Sequence, residues 1–152
     1  AAAAAGVLLW LLTRRLSVEG GTDPDFSPAR SGAVPELAVP VAPDEGPVMV
    51  TIEYQIDPVQ AEAFAEVMQK TRRARLQQGV LSWGLFRDAT VRGRYIEYFV
   101  DETWIEHLRR LERFTAADAG LREQRLALHR GSAPPKVTRF VAEDLRGGGS
   151  PF

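Results

Sequence analysis

The sequence predicts an α+β domain of ferredoxin-like βαββαβ order over residues 48–142, and three observations carry that reading. Val48, Val50, Ile52, Tyr54 and Ile56 alternate with Met49, Thr51, Glu53 and Gln55, a period of two in β-forming residues. A stretch with helical spacing follows and stops at Gly79. Two more β-rich runs joined by a Gly-containing turn, a second helical stretch and a short terminal strand complete the order.

Each element has its own signal. Asp57 can accept from free N–H groups at a helix start, Pro58 suits the first helical position, and Gln60 stands where a capping box places its partner. The first helix then runs to about Gln78. Its inward stripe is read as Ala61, Phe64, Ala65, Met68, Thr71 and Arg72. Val80 to Asp88 and Arg94 to Asp101 read as strands of a hairpin turning at Gly93. In the second of them Tyr95, Glu97 and Phe99 share one face, and Ile96, Tyr98 and Val100 the other. Thr103-Trp104-Ile105-Glu106 reads as a capping box opening a helix, with Trp104, Leu108 and Leu111 as its stripe. Helical character continues, with a break near Thr115, to about His129. Ala133-Pro134-Pro135 ends it, and Lys136 to Ala142 reads as the last strand.

Such a sheet is covered by helices on one face only. An open face with Trp83, Tyr and Phe side chains would be a large apolar patch for a monomer. The simple remedy is a homodimer pairing two sheets face to face; an upstream part of the protein covering the face is the alternative.

What precedes the domain differs in composition. Residues 1–16 hold an uncharged Ala/Leu-rich run, Ala1 to Leu12, then Thr13, Arg14 and Arg15. About 20 apolar residues are needed to cross a bilayer, and a secretory signal carries its charge before the apolar run. The run is therefore read as the end of a truncated transmembrane helix, with Trp10 near the interface and the arginines on the cytoplasmic side. A soluble helix packed on the domain, or a helical arm of a stand-alone protein, is the other reading. The chain opens on Ala1 rather than Met, which suits a fragment or a processed product. Residues 17–47 carry prolines at 24, 28, 35, 40, 43 and 47 and read as a disordered Pro/Gly-rich linker. Residues 143–152 read as a disordered tail.

Composition narrows the function classes. A net charge of −1 among 152 residues argues against a nucleic-acid binder. Without cysteine there are no disulfides, thiolate zinc sites or cysteine nucleophiles, and two histidines alone argue against a closed structural zinc site. No phosphate-binding glycine loop, dinucleotide fingerprint or Ser-His-Asp pattern is present. His107 and Trp104, on the second helix, are the candidate catalytic or haem-binding residues, against a bland reading of His107 as a partly exposed helix residue. His129 reads as a residue at a helix C-terminus. Trp83 and Trp104 could line a pocket but more simply belong to the core. Arg72, Arg73 and Arg75, like Arg109, Arg110 and Arg113, read as solvated helix faces, or as surfaces touching anionic lipid. Glu97 is expected to pair with Arg87 across the hairpin.

The residues also carry a resemblance. Val48 to Asp57, Arg72 to Leu76 with Gly79, Trp83 to Asp88, Gly93 to Val100, and Trp104 to Arg109 with Glu112, Arg113, Thr115 and Asp118 resemble the C-terminal soluble domain of bacterial major facilitator superfamily transporters. The branch is that of transmembrane secretion effectors, related to siderophore exporters, and the match spans about residues 48–141. The domain itself is similar to the antibiotic biosynthesis monooxygenases, a dimeric α/β-barrel superfamily in which some members are cofactor-independent oxygenases and others bind haem. His107 matches the histidine of that helix. A second histidine, often found four residues later in this branch, is Leu111 here, so no catalytic mechanism is carried over. The resemblance implies a cytosolic domain of an inner-membrane drug or metabolite exporter, serving dimerisation or regulation. It is then not an enzyme, has no cofactor or metal, and is attached to the membrane through the N-terminal helix. A small oxygenase or haem-binding domain is the alternative.

Overall fold

The computed structural model describes residues 36–145. The proposed transmembrane segment 1–16, most of the linker and the end of the tail lie outside the described residues. Among the described residues no helix is long and apolar enough to cross a membrane.

Four strands form one antiparallel sheet: β1 (Val48–Gln55), β2 (Ser82–Arg87), β3 (Arg94–Asp101) and β4 (Lys136–Val141), in the order β2-β3-β1-β4. β1 sits inside and pairs with both β3 and β4. A short 3-10 turn, Pro58–Gln60, leads into α1 (Ala61–Gln77). Asp57 accepts from the Val59 amide at 3.1 Å, so it does the capping without a reciprocal bond from Gln60. Gly79 follows α1 at φ 93°, a left-handed conformation that suits glycine.

The second helical stretch breaks at Thr115, as expected, into two helices, α2 (Trp104–Glu112) and α3 (Ala116–Leu128). Thr115 ends one and caps the other: its hydroxyl receives the Asp118 amide, and the Asp118 carboxylate receives the Thr115 amide at 2.9 Å. This is a complete capping box. At Thr103 only half a box forms. Thr103 Oγ1 accepts from the Glu106 amide at 3.3 Å, while the Glu106 carboxylate turns to Arg109 and Arg113.

Residues 36–47 have no regular structure except turns, yet the segment that enters β1 is held. Two of the free N–H groups at the start of α2 donate to it, Trp104 to the Glu45 carbonyl at 2.7 Å and Ile105 to the Pro43 carbonyl at 2.9 Å. Val41 packs on the cluster formed by Val48, Val50, Val80, Phe99 and Trp104.

Register sorts the side chains into two faces. Toward the helices lie the rows Trp83–Phe99–Val50–Arg139 and Leu85–Glu97–Ile52–Val137. Away from them lie Ser82–Val100–Met49–Phe140, Gly84–Tyr98–Thr51–Thr138 and Phe86–Ile96–Glu53–Lys136. Trp83, expected on the open face, is therefore on the helix side, opposite Phe99. The open face instead exposes Phe86 (62%), Phe140 (48%) and Met49 (39%). Tyr98 lies across Gly84, where a Cβ would run into its ring, and stacks on Phe86 with centroids 5.7 Å apart.

Candidate functional site

The helix side of the sheet carries a cavity of about 400 Å³, bounded by β1, β3, β4, α2 and α3. Its walls combine apolar groups (Val50, Ile52, Phe99, Phe114) with five arginines: Arg75, Arg110, Arg122, Arg125 and Arg139. No carboxylate lines it.

Two buried carboxylates beneath the cavity organise the arginines. Glu97, fully buried on β3, receives the Tyr54 hydroxyl at 2.9 Å, Arg75 Nε at 3.1 Å and the Trp83 indole N–H at 3.0 Å. Burial alone would raise its pKa; the charges of Arg75 and Arg125 and the two neutral donors overcome this and hold it below its ordinary value. Burial and the neighbouring Glu97 charge push the Tyr54 hydroxyl far up, so it stays a donor. The expected Glu97–Arg87 pair does not form, because the register sets Arg87 opposite Tyr95 and Leu85 opposite Glu97. Arg75 reaches Glu97 because it continues the buried line of α1, Phe64, Met68, Thr71, Arg75. Arg72 and Arg73 are exposed, as a solvated face requires, so Arg72 and the exposed Ala65 fall outside the inward stripe expected of them, and Arg75 belongs to it instead.

Asp101 ends β3 and is the second carboxylate. Arg110 grips it through Nε at 2.9 Å and Nη2 at 2.9 Å. His107 Nδ1 lies 2.8 Å from Asp101 Oδ2, and Arg139 Nε donates to His107 Nε2 at 3.0 Å. A guanidinium N–H can only donate, so Nε2 is the acceptor and Nδ1 carries the proton given to Asp101. The result is a relay from Arg139 on β4 through His107 on α2 to Asp101 on β3. Burial would raise Asp101, but hydrogen bonds from His107 and Arg110 hold it below the usual carboxylate range.

His107 is thus a buried, 1% exposed, fully bonded residue rather than a partly exposed one. Both ring nitrogens are engaged, so haem iron could bind Nε2 only by displacing Arg139, and the residues do not fit haem. Trp104, the other candidate, is core: it packs with Val48, Val80 and Phe99, touches the His107 ring at 5.3 Å between centroids, and does not line the cavity. Arg110 is buried rather than solvated, and α2 is rotated so that Trp104, His107 and Arg110 are its fully buried side, while Leu108, against the core, and Leu111, at the cavity, are half-buried. Asp101 causes that rotation by drawing His107 and Arg110 inward. Arg109 and Arg113 are exposed. His129 pins the end of α3 to the end of β1: its Nδ1 accepts from the Gln55 amide at 3.1 Å, and its Nε2 donates to the Ala133 carbonyl at 3.0 Å.

Five site residues were not singled out for these roles from the sequence: Tyr54, Asp101, Arg110, Arg125 and Arg139. For two of them a signal exists, because Asp101 with His107 and Arg110 is a carboxylate at a strand end facing the inner side of the next helix. Arg125 and Arg139 stand in ordinary polar surroundings in the chain. Among the described residues no group of histidines and carboxylates could hold a metal ion.

Solved structures share the fold at low identity. SnoaB, a cofactor-independent oxygenase from Streptomyces nogalater, superposes with a TM-score of 0.55 at 19% identity, covering 68% of this chain and 98% of its own. A candidate antibiotic biosynthesis monooxygenase from Caulobacter crescentus gives 0.55 at 17%, covering 66% and 93%. Rv0793 from Mycobacterium tuberculosis gives 0.53 at 20%, covering 65% and 97%. These likenesses establish the antibiotic-biosynthesis-monooxygenase-like, ferredoxin-like fold. No curated protein matches the chain. The family described as transmembrane secretion effector, a branch of the major facilitator superfamily, matches residues 1–146, and the chain belongs to that family.

Proposed function

We propose that residues 48–142 are the cytosolic C-terminal domain of an inner-membrane exporter of drugs or metabolites, where they pair two transporter copies or regulate export, and that the domain is not itself an enzyme. The apolar run and arginine pair at residues 1–16 would then be the end of the last membrane helix, and residues 17–47 its tether. Family membership supports the transporter assignment. The observation that carries the pairing is the open sheet face, on which Met49, Phe86, Tyr98 and Phe140 are displayed across all four strands. Solvated sheets of this size carry polar residues on the outer side; an aromatic-rich outer side is stable when a second such face covers it. Transport itself would run among the membrane helices, away from these residues.

Light scattering of the chain in mild detergent tests the pairing. The expected mass is that of a dimer, and Phe86→Asp with Phe140→Asp is expected to give a folded monomer. A wild-type monomer at high concentration, together with unchanged export by a transporter lacking residues 48–142, would remove the proposal.

The alternative of a haem-binding oxygenase has less support, because Arg139 occupies the His107 nitrogen that iron would need. Haem titration should leave the Soret band of wild type and His107→Ala alike. A shift seen in wild type and lost in His107→Ala would reinstate the alternative.

A further inference from the structure

We propose that the cavity between the sheet and helices α2 and α3 is a binding site for an amphipathic organic anion, an aromatic or branched apolar body bearing one carboxylate. The first ground is charge. Five arginines, Arg75, Arg110, Arg122, Arg125 and Arg139, line the cavity and no carboxylate does; the buried carboxylates Glu97 and Asp101 lie beneath it. Arg75 and Arg110 take those carboxylates. Arg125 touches no carboxylate: it has the neutral Thr71 hydroxyl, at 2.9 Å, and the Tyr54 hydroxyl, with Glu97 attracting it from farther away, while Arg139 has the neutral nitrogen of His107. Burial weakens the hold of both guanidinium groups on their protons, most directly for Arg125, and Arg110 adds repulsion at Arg139. Desolvating a cation without an anion is costly, and a carboxylate entering the cavity would relieve that cost.

The second ground is shape and lining. The volume of about 400 Å³ falls within the range of small-molecule pockets. The opposite walls are apolar: Val50, Ile52, Phe114, Leu126 and Val137. Phe99 in the floor is already covered by two guanidinium groups, Arg75 at 4.3 Å and Arg110 at 4.5 Å from its centroid, so its quadrupole is used within the protein. What remains for a ligand is an apolar chamber into which Arg125 and Arg139 present guanidinium groups that touch no carboxylate, and an inorganic anion would satisfy only the second part. The inference is independent of the transporter reading and of pairing through the open face, which lies on the other side of the sheet.

The test is calorimetric titration of the full chain with three probes: 2-naphthoate, its neutral amide 2-naphthamide, and inorganic phosphate. Naphthoate is expected to bind about tenfold or more tighter than either of the others, since a charge-assisted pair is worth more than about 1.4 kcal/mol. Arg125→Met and Arg139→Met should each remove that advantage while leaving naphthamide binding unchanged. Val137→Trp, at the exposed edge of the chamber, should abolish naphthoate binding in a folded protein. Equal affinity for naphthoate and naphthamide, phosphate binding as tight as naphthoate, or naphthoate binding unaffected by Val137→Trp would each overturn the assignment.

Discussion

The two faces of the one sheet reverse the usual division of labour. The covered face holds ionised groups, Glu97 and Asp101 with the arginines of α1 and α2, while the open face holds Met49, Phe86, Tyr98 and Phe140. Both come from the same alternating strands. The difference teaches that burial and polarity are separable: ions are tolerated inside when every lone pair finds a donor, and rings stay outside when a partner surface can cover them. On the covered face the cost of error is therefore a lost ion partner, and on the open face it is lost association.

That contrast can be broken most strongly at Glu97. Glu97→Ala strands Arg75, the Trp83 N–H and the Tyr54 hydroxyl, and is expected to cost about 3–5 kcal/mol in urea unfolding. Asp101→Asn keeps the shape but weakens the hold of Arg110 and His107, with an expected loss of about 1.5–3 kcal/mol by the same measurement.

Acid should act through the same two carboxylates. Their folded-state pKa values are lowered, so the stability they contribute is present above the unfolded carboxylate pKa and is lost as pH falls through the folded values. Melting temperature should therefore be level near neutrality and decline below about pH 5, and Glu97→Gln should flatten the decline. A decline of equal steepness in that variant would mean that the covered face does not control acid stability.

Thr115→Ala, which touches neither face, removes one capping box and should cost about 1 kcal/mol by thermal melting. Phe140→Asp should change the stability of the isolated monomer least, within about 0.5 kcal/mol, while abolishing pairing measured by sedimentation. If it instead destabilised the monomer as Glu97→Ala does, the two faces would not differ in the way described.

Local signals were enough for the fold. Alternation marked β1 and β3, Asp57-Pro58 and Gly79 bounded α1, and Thr103 opened α2, because caps and periodicity depend on neighbours in the chain. The break near Thr115 was legible too, but the Thr115–Asp118 capping box that makes it was not read from the sequence. The site was less legible. Arg75 belongs to the 64–68–71–75 line of α1, yet between Arg72, Arg73 and the other charges its polarity pointed outward. His107 stood out by residue type, and its partner Arg139 lies 32 residues away.

The sequence by itself determined the order of elements, the alternation of every strand and the membership of the family, since these rest on short-range spacing and on residue pattern. Only the tertiary structure decided which arginines are interior, that Trp83 faces the helices, and that Glu97 meets Arg75 and not Arg87. Those outcomes depend on strand register and on helix rotation over the sheet. A one-residue change in either would send the same side chain to the opposite face.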